Sequence, residues 1–352
     1  MIGSDRLGTL LATVLLGALA LLSAGCAIYE PSPAASSAPP AGAIDDARVD
    51  AIYNFRTWFS PDALTTDTVK IGRLADIPVN AARGKIVGVE AEDSLRSLLA
   101  KIWLIEQAQY TIDVAYYIFK RDTVGYAILG ALCDAVQRGV DVRVVLDSIG
   151  SLHATHSELK ALETCADRAG YMIADDGRPT LRRARVQVVI CNAVTKYGSW
   201  INRRSHDKLL VVDGHFPVKA MLITGGRNVS LSYYGIRRDG SEDPTAYRDL
   251  EILLRPGRDD FGKWTVGDVS SIYFTLLFLH EGNRRIKPMG NHAAYRGERA
   301  KAFESLTAVK GFPGVRELWA DMPRYLSEDF REARVRLAHE LANLTNRSVV
   351  SE

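Results

Sequence analysis

Ser205 to Asn228 reads SHDKLLVVDG, then HFPVKAMLIT, then GGRN, and this stretch decides the fold. The run from Lys208 to Val212 is too short for a helix, rich in Leu and Val, and closed by Asp213-Gly214, which is the pattern of a buried strand entering a turn. Side chains alternate faces along a strand. His206 and Lys208 therefore share a face that Leu210 and Val212 continue inward, while Asp207 and Asp213 take the other. An imidazole beside a fixed ammonium at a strand end suits an anionic phosphodiester. The Lys neutralises non-bridging oxygens, and the imidazole, basic near neutral pH, attacks phosphorus or moves a proton. A second apolar run, Val218 to Thr224, returns from the turn into Gly225-Gly226-Arg227-Asn228. The two glycines let backbone N–H groups approach a ligand closely, and the Asn amide can donate to a phosphate oxygen.

Working outward, Leu95, Leu98, Leu99, Ile102 and Ile105 recur at helical spacing between Ser94 and Gln107. Tyr110 to Phe119 reads as a strand, Thr123 to Gln137 as a helix and Val140 to Leu146 as a second strand. This alternation predicts a right-handed βαβ unit with a parallel sheet. Gly139, past the basic end of that helix, fits its C-terminal cap. Leu152 to Ala169 reads as a helix, Val186 to Ile190 and Tyr247 to Arg255 as strands, and Ile272 to Leu279 as a buried helix too short to span a membrane. Ahead of these, Tyr53, Phe55, Trp58 and Phe59 read as a lead segment packed on the domain.

At this point the residues reach a known family. His206, Lys208 and Asp213 stand as H-x-K-x4-D, and with the following G-G-x-N they resemble the phospholipase D superfamily, especially bacterial cardiolipin synthase-like members. YTIDVAYYIF and RGVDVRVVLDSIGS look like that family's opening strand-helix-strand, and INRRSHDKLLVVDG like its approach to the motif. The resemblance spans roughly Glu90 to Arg255. It implies an α/β fold, a phospholipase D-like mixed sheet flanked by helices. It also implies a metal-free, cofactor-free phosphodiesterase or phosphatidyltransferase acting on phospholipids, in which one His forms a covalent phosphohistidine and a second His protonates the leaving oxygen. Carried over residue by residue, His206 is the nucleophile or its acid partner, Lys208 and Asn228 hold phosphate oxygens, and Asp249 is the carboxylate that orients His206, with Glu251 as its competitor. Asp213 completes the motif, although on a regular strand it faces away from His206 and suits a turn or sheet-stabilising role. Cys191-Asn192-Ala193 departs from the family's Asn-Pro step at the pocket rim.

Among seven histidines only His206 has a Lys two residues on. A complete site then needs a second motif from another copy across a two-fold axis, or from a partner chain. Trp319-Ala320-Asp321-Met322-Pro323 resembles the linker between the halves of two-motif members, and Ser327 to Asn343 the helix that starts the second half. The chain thus reads as residues 1–25 export signal, 26–44 tether, 45–260 a phospholipase D-like domain with one motif, and 261–352 a helical extension toward a second half.

The chain has 352 residues, 47% hydrophobic and 24% charged, with a formal net charge of +2. That suffices for one large domain or two small ones. Near-neutral charge argues against a nucleic-acid binder, so a homodimeric nuclease is the enzymatic alternative and a degenerate lipid- or partner-binding lipoprotein the non-enzymatic one. Of the basic clusters, Arg182, Arg183 and Arg185 read as a solvated face, and Arg203 and Arg204 as candidates for an anionic headgroup. Arg6 precedes an uncharged apolar run, Leu7 to Leu22, of signal-peptide length. Leu22-Ser23-Ala24-Gly25-Cys26 is similar to the site where bacterial lipoprotein precursors are lipidated on Cys, and Ala27 to the sorting pattern for the outer membrane. The expected place is the periplasm, with Cys26 as membrane anchor and Pro31 to Gly42 as tether. Of the remaining cysteines, Cys133 reads as a small buried hydrophobe. Cys165 and Cys191 are the pair able to bridge there, with separate thiols the favoured reading. His153 and His156, three apart, lack the further ligands a metal site needs.

Overall fold

The structure, a computed structural model, describes residues 38–59, 78–151, 156–193, 204–257, 264–280 and 282–337. The apolar run Leu7 to Leu22, Cys26, His153, Arg203, His339 and Ser348 to Val350 lie outside the described residues.

The βαβ unit forms where apolar periodicity changes from two to 3.6 residues. In chain order the elements are α1 (Ala47–Phe55), β1 (Val79–Val87), α2 (Ala91–Gln107), β2 (Thr111–Tyr116), α3 (Thr123–Gln137) and β3 (Asp141–Asp147). Next come α4 (Ser157–Glu163), β4 (Tyr171–Ile173), β5 (Pro179–Arg183), β6 (Val186–Cys191), β7 (Lys208–Val212), β8 (Met221–Gly225) and β9 (Glu251–Pro256). The chain continues through α5 (Val266–Phe278), β10 (Arg284–Ile286), α6 (Arg296–Lys310), α7 (Val315–Tyr325) and β11 (Arg331–Val335). Asp122 caps α3 by accepting from the N–H groups of Val124 and Gly125, and Gly139, at φ 101°, ends it.

One nine-stranded sheet runs β10-β6-β3-β2-β7-β8-β9-β1-β11, and β4 and β5 form a separate hairpin. β2, β3 and β6 are parallel, whereas β7 runs antiparallel to β2 with Tyr116 opposite Lys208 and Ile112 opposite Val212. Strand alternation divides the core in two. Leu210 and Val212 join Ile112, Val114 and the α2–α3 side, and Leu209 and Val211 join Ala115, Val145 and the α5 side. This is the α/β mixed sheet flanked by helices that the sequence leads one to expect.

The lead segment is fixed by charge as well as by aromatic packing. Arg56, fully buried, donates to Asp113 (2.8 Å) and Asp141 (2.8 Å), and Arg143 grips both oxygens of Asp113. Burial works against ionisation of Asp113, but Arg143 and Arg56 outweigh it and hold the carboxyl below its usual range. The cluster at Arg182, Arg183 and Arg185 is part of this scaffold and not a solvated face. Arg182 pairs with Asp50, Arg183 donates to the Ala169 carbonyl, and Arg185 pairs with Asp141 while stacking 3.3 Å over Tyr53.

Three further sequence expectations need correction. Cys133 bridges Cys165, joining α3 to the 3₁₀ turn that follows α4, while Cys191 is a buried free thiol. Residues 157–163 form one short helix and 164–168 a 3₁₀ turn, in place of one helix running to Ala169. Trp319 to Pro323, the linker-like segment, lie within α7. Finally, the described part of Ser327 to Asn343 contains β11, which pairs antiparallel with β1, and not a helix. Arg331, Ala333 and Val335 share one face there, and the open edge of β1 supplies a ladder that no local pattern announces.

Two predictions follow from these packings. Bridging residues 32 apart removes about 3–4 kcal/mol of unfolded-state freedom in the chain-entropy account. Replacing Cys133 and Cys165 by Ala should therefore lower the urea midpoint and abolish its dependence on reductant. A wild-type midpoint indifferent to reductant would contradict the bridge. Burial, with Arg56 and Arg143 nearby, lowers His215 to about 4. The unfolded state, near 6.5, then takes up the proton first, so this contribution is complete above about pH 6.5. It is lost at about 1.4 kcal/mol per pH unit as the pH falls toward 4. His215→Leu should flatten that part of the stability profile relative to wild type, and parallel profiles would refute the assignment.

Candidate active site

The carboxyl ends of β2, β3 and β6 and the start of antiparallel β7 meet at one edge of the sheet, where open α/β sheets receive their ligands. His206 stands there exposed, two residues ahead of the first residue of β7, and Lys208 is buried beneath it. The two side chains are on the same side. Lys208 Nζ lies 3.1 Å from Nδ1 and 3.2 Å from Nε2 of His206 and donates to the His206 carbonyl at 2.8 Å. The ammonium thus sits against the imidazole, near both ring nitrogens, and the two groups can face one anion together. Asp207 points to the opposite face, where it accepts from the Tyr273 hydroxyl of α5 at 2.7 Å and from Ser205.

The Gly-Gly-Arg-Asn loop crosses the end of β7. Thr224 pairs with Leu209 on one side of the strand, and Val229 bridges to Phe119 on the other, beyond β2. Residues 225–228 must therefore pass over the end that bears His206 and Lys208. The Asn228 side chain is buried, and its Oδ1 accepts from the Ile118 N–H at 3.0 Å. That bond fixes the amide orientation and turns its NH₂ group the other way, where it meets the Tyr233 hydroxyl. Gly225 has φ 148°, and a Cβ on Gly226 would fall 1.8 Å from Asp249 Oδ1. Glycine is thus required at 225 by backbone conformation, while a side chain at 226 would displace the Asp249 carboxylate packed on it.

The structure gathers His206, Lys208, Asn228 and Asp249 at this edge, but not Asp213. At φ 50°, Asp213 leaves the strand and its carboxylate accepts from the backbone of Gln109 (3.0 Å), Tyr110 (2.8 Å) and Thr111 (2.9 Å). That position is the opposite end of β7, roughly 17 Å from Lys208 at about 3.3 Å per residue. Asp213 is thus a structural and not a catalytic member of the motif, as strand parity suggests: it staples the start of β2 to the β7 turn. Burial pushes its carboxyl up, with the three N–H groups working against that. Asp249 precedes β9 and does not lie within it, and its carboxylate rests on Gly226 with no hydrogen bond to His206 among the described residues. The competitor Glu251 is committed elsewhere, in a buried salt bridge to Lys101 at 2.6 Å.

One participant escaped sequence reasoning. Tyr117 holds its ring centroid 4.8 Å from that of His206 and 5.8 Å from Lys208 Nζ, and its N–H donates to the Asp207 carbonyl at 2.9 Å. The Tyr-Tyr doublet ending β2 was the available signal, with Tyr116 turned into the core and Tyr117 toward the site. Arg204, a headgroup candidate from the sequence, reaches Ser148, the Asn192 carbonyl (3.3 Å) and Asp147 (3.7 Å), and so braces the rim at Cys191-Asn192-Ala193. Asn192 there adopts φ 42°. Burial, reinforced by Asp147 and Asp207, drives the Cys191 thiol well above its ordinary range, which leaves it inert as a nucleophile.

An imidazole–ammonium pair under a Gly-Gly-x-Asn loop is the core of this site, and comparisons with known proteins pick out the same region. Residues 102–239 match the family described as cardiolipin synthase, PLD-like domain. The span includes His206, Lys208 and Asn228 and stops short of Asp249. Cardiolipin synthase C of Escherichia coli is 29% identical over 202 residues, covering 53% of this chain and 36% of that protein. An uncharacterized protein of Helicobacter pylori is 30% identical over 211 residues, covering 58% of this chain and 38% of that protein. Among solved structures, the phospholipase D family member Nuc from Salmonella typhimurium is 17% identical with a TM-score of 0.35, covering 58% of this chain and 99% of that one. Residues 102–239 of this chain thus match a phospholipase D-like domain. The match takes in little more than a third of the length of these curated relatives.

If Asp213 is a staple, Asp213→Asn should cost about 2 kcal/mol of stability, because buried N–H groups lose charged acceptors. The NMR signals of the His206 imidazole should stay in place. A large shift of those signals with stability unchanged would return Asp213 to the site.

Proposed function

We propose that this chain is a phosphodiesterase or phosphatidyltransferase acting on phospholipids, working with a second His-Lys pair supplied by another copy or a partner chain. The observation that carries the reading is the shared side of His206 and Lys208 under the loop bearing Asn228. Similarity to cardiolipin synthases favours a phospholipid over other diesters.

In this mechanism a ring nitrogen of His206 attacks phosphorus. A P–N bond forms, the P–O bond to the leaving alcohol breaks, and the partner's His gives that oxygen its proton. Water or an acceptor hydroxyl then attacks the phosphohistidine and loses its proton to the same partner His, and the P–N bond breaks to restore His206. Lys208 and Asn228 hold the non-bridging oxygens, and Asp249 balances the positive charge that develops on His206. Without the partner's acid–base group about 10²–10⁴-fold in rate is forfeited, so the isolated single-motif site is nearly silent.

We place the protein in the periplasm, anchored to the outer membrane through a lipidated Cys26. The Cys133–Cys165 bridge supports an oxidising compartment.

The test is His206→Ala, with a search for phosphorus trapped covalently on the wild-type chain after exposure to phosphatidylglycerol vesicles and, separately, to a generic phosphodiester. The native mass is measured alongside. An adduct in wild type and none in the variant is expected. An adduct persisting in the variant would remove His206 as nucleophile, a dimer that cuts nucleic acid but not lipid would make the protein a nuclease, and an inert monomer would make it a binding protein.

A further inference from the structure

Behind the loop lies a set of buried charges that the proposed chemistry does not use. Arg227, Lys101 and Glu251 are each no more than 3% exposed. Lys101 Nζ donates to Glu251 (2.6 Å), Ser97 Oγ (2.8 Å) and the Tyr234 hydroxyl (3.1 Å). The other Glu251 oxygen accepts from Ser97 and faces the Arg227 guanidinium at 3.4 Å, and Arg227 also donates to Ser94 Oγ (3.1 Å) and the Gly88 carbonyl. Burying three charges costs several kcal/mol per ion before pairing recovers part of it, and well-packed apolar side chains would often be at least as stabilising. Stability alone is therefore a poor account of this cluster.

Its position in the chain is more informative. Arg227 is the residue before Asn228, and Glu251 is two residues after Asp249. Gly226 N–H donates to the Leu250 carbonyl at 2.8 Å between them. One buried network thus ties together the two segments that carry the site's amide and its carboxylate, and fastens both to α2.

We propose that Glu251, Lys101 and Arg227 are positioning residues that hold the Gly225–Asn228 loop and Asp249 in place over His206 and Lys208, so that an anion meets a preformed cradle. The assignment rests on reading His206, Lys208 and Asn228 as a phosphate site. It separates two physical effects. If only the local charge mattered, removing the Glu251 carboxylate would leave Lys101 and Arg227 unopposed and tighten anion binding. If geometry matters, the same change lets the loop drift, and a misplacement of a fraction of an ångström weakens binding.

The experiment titrates inorganic phosphate into the full chain and follows the His206 imidazole by NMR, for wild type, Glu251→Gln, Ser97→Ala and the control Asp113→Asn. Asp113 belongs to the separate Arg56–Arg143 network near the far end of β2. We expect Glu251→Gln to weaken phosphate binding about tenfold, Ser97→Ala about threefold and Asp113→Asn less than about twofold. Should Glu251→Gln fail to fold, Ser97→Ala, which deletes one hydroxyl, carries the test. Unchanged or tighter binding in the folded triad variants overturns the proposal, and so does an equal loss in Asp113→Asn, the mark of general destabilisation. Wild type that leaves the His206 signals untouched by phosphate overturns both this and the proposed function. Wild type that binds phosphate with the expected variant order but cleaves no diester leaves the triad standing and removes only the reaction.

Discussion

The antiparallel pairing of β7 with β2 is the constraint on which the molecule depends. With Lys208 opposite Tyr116 and Val212 opposite Ile112, the start of β7 is forced to the carboxyl ends of the parallel strands. Residue alternation then leaves the His206 and Lys208 side chains on one side and sends Asp207 into α5. The other end of the same pairing is locked by Asp213, whose carboxylate gathers three backbone N–H groups at the start of β2. A one-residue slip would move the ammonium to the wrong face. The third residue of the motif therefore serves the first two by fixing register, without touching the chemistry.

Charge is distributed with the same economy. One buried network, built on Asp113 and Asp141, binds the lead segment to the sheet. A second, built on Glu251, lies under the phosphate loop. Both edges of the nine-stranded sheet are formed by the region after β9, since β10 closes one side and β11 the other. A segment that reads as an extension beyond the domain is thus an integral part of its sheet, at a cost to any simple division near residue 260.

What the sequence made legible was local. β7 and α3 fall at the residues expected because each carries a full apolar pattern with its own stop signal, Asp213-Gly214 for the strand and Gly139 for the helix. The same is true of the imidazole–ammonium pair, whose shared face follows from parity along five residues. What remained hidden was set by distant partners. Cys133 sits among apolar neighbours that disguise its bond to Cys165, and β11 exists because β1 offers an edge. Asp249 and Glu251, two residues apart in one short segment, could be ranked only by motif. The structure separates them by burial and by the presence of Lys101 across from one of them. Tyr117 was similarly invisible as a site residue, since a Tyr in an apolar strand packs inward as often as it lines a pocket.

The most direct measurement of the central claim is a crystal structure of the chain with vanadate bound, an oxyanion able to take the geometry of phosphorus under attack. The account predicts vanadium facing a ring nitrogen of His206, with its oxygens within hydrogen-bonding reach of both Lys208 Nζ and the Asn228 amide. An anion seated elsewhere on the protein, or His206 and Lys208 diverging to opposite faces of β7, would contradict it.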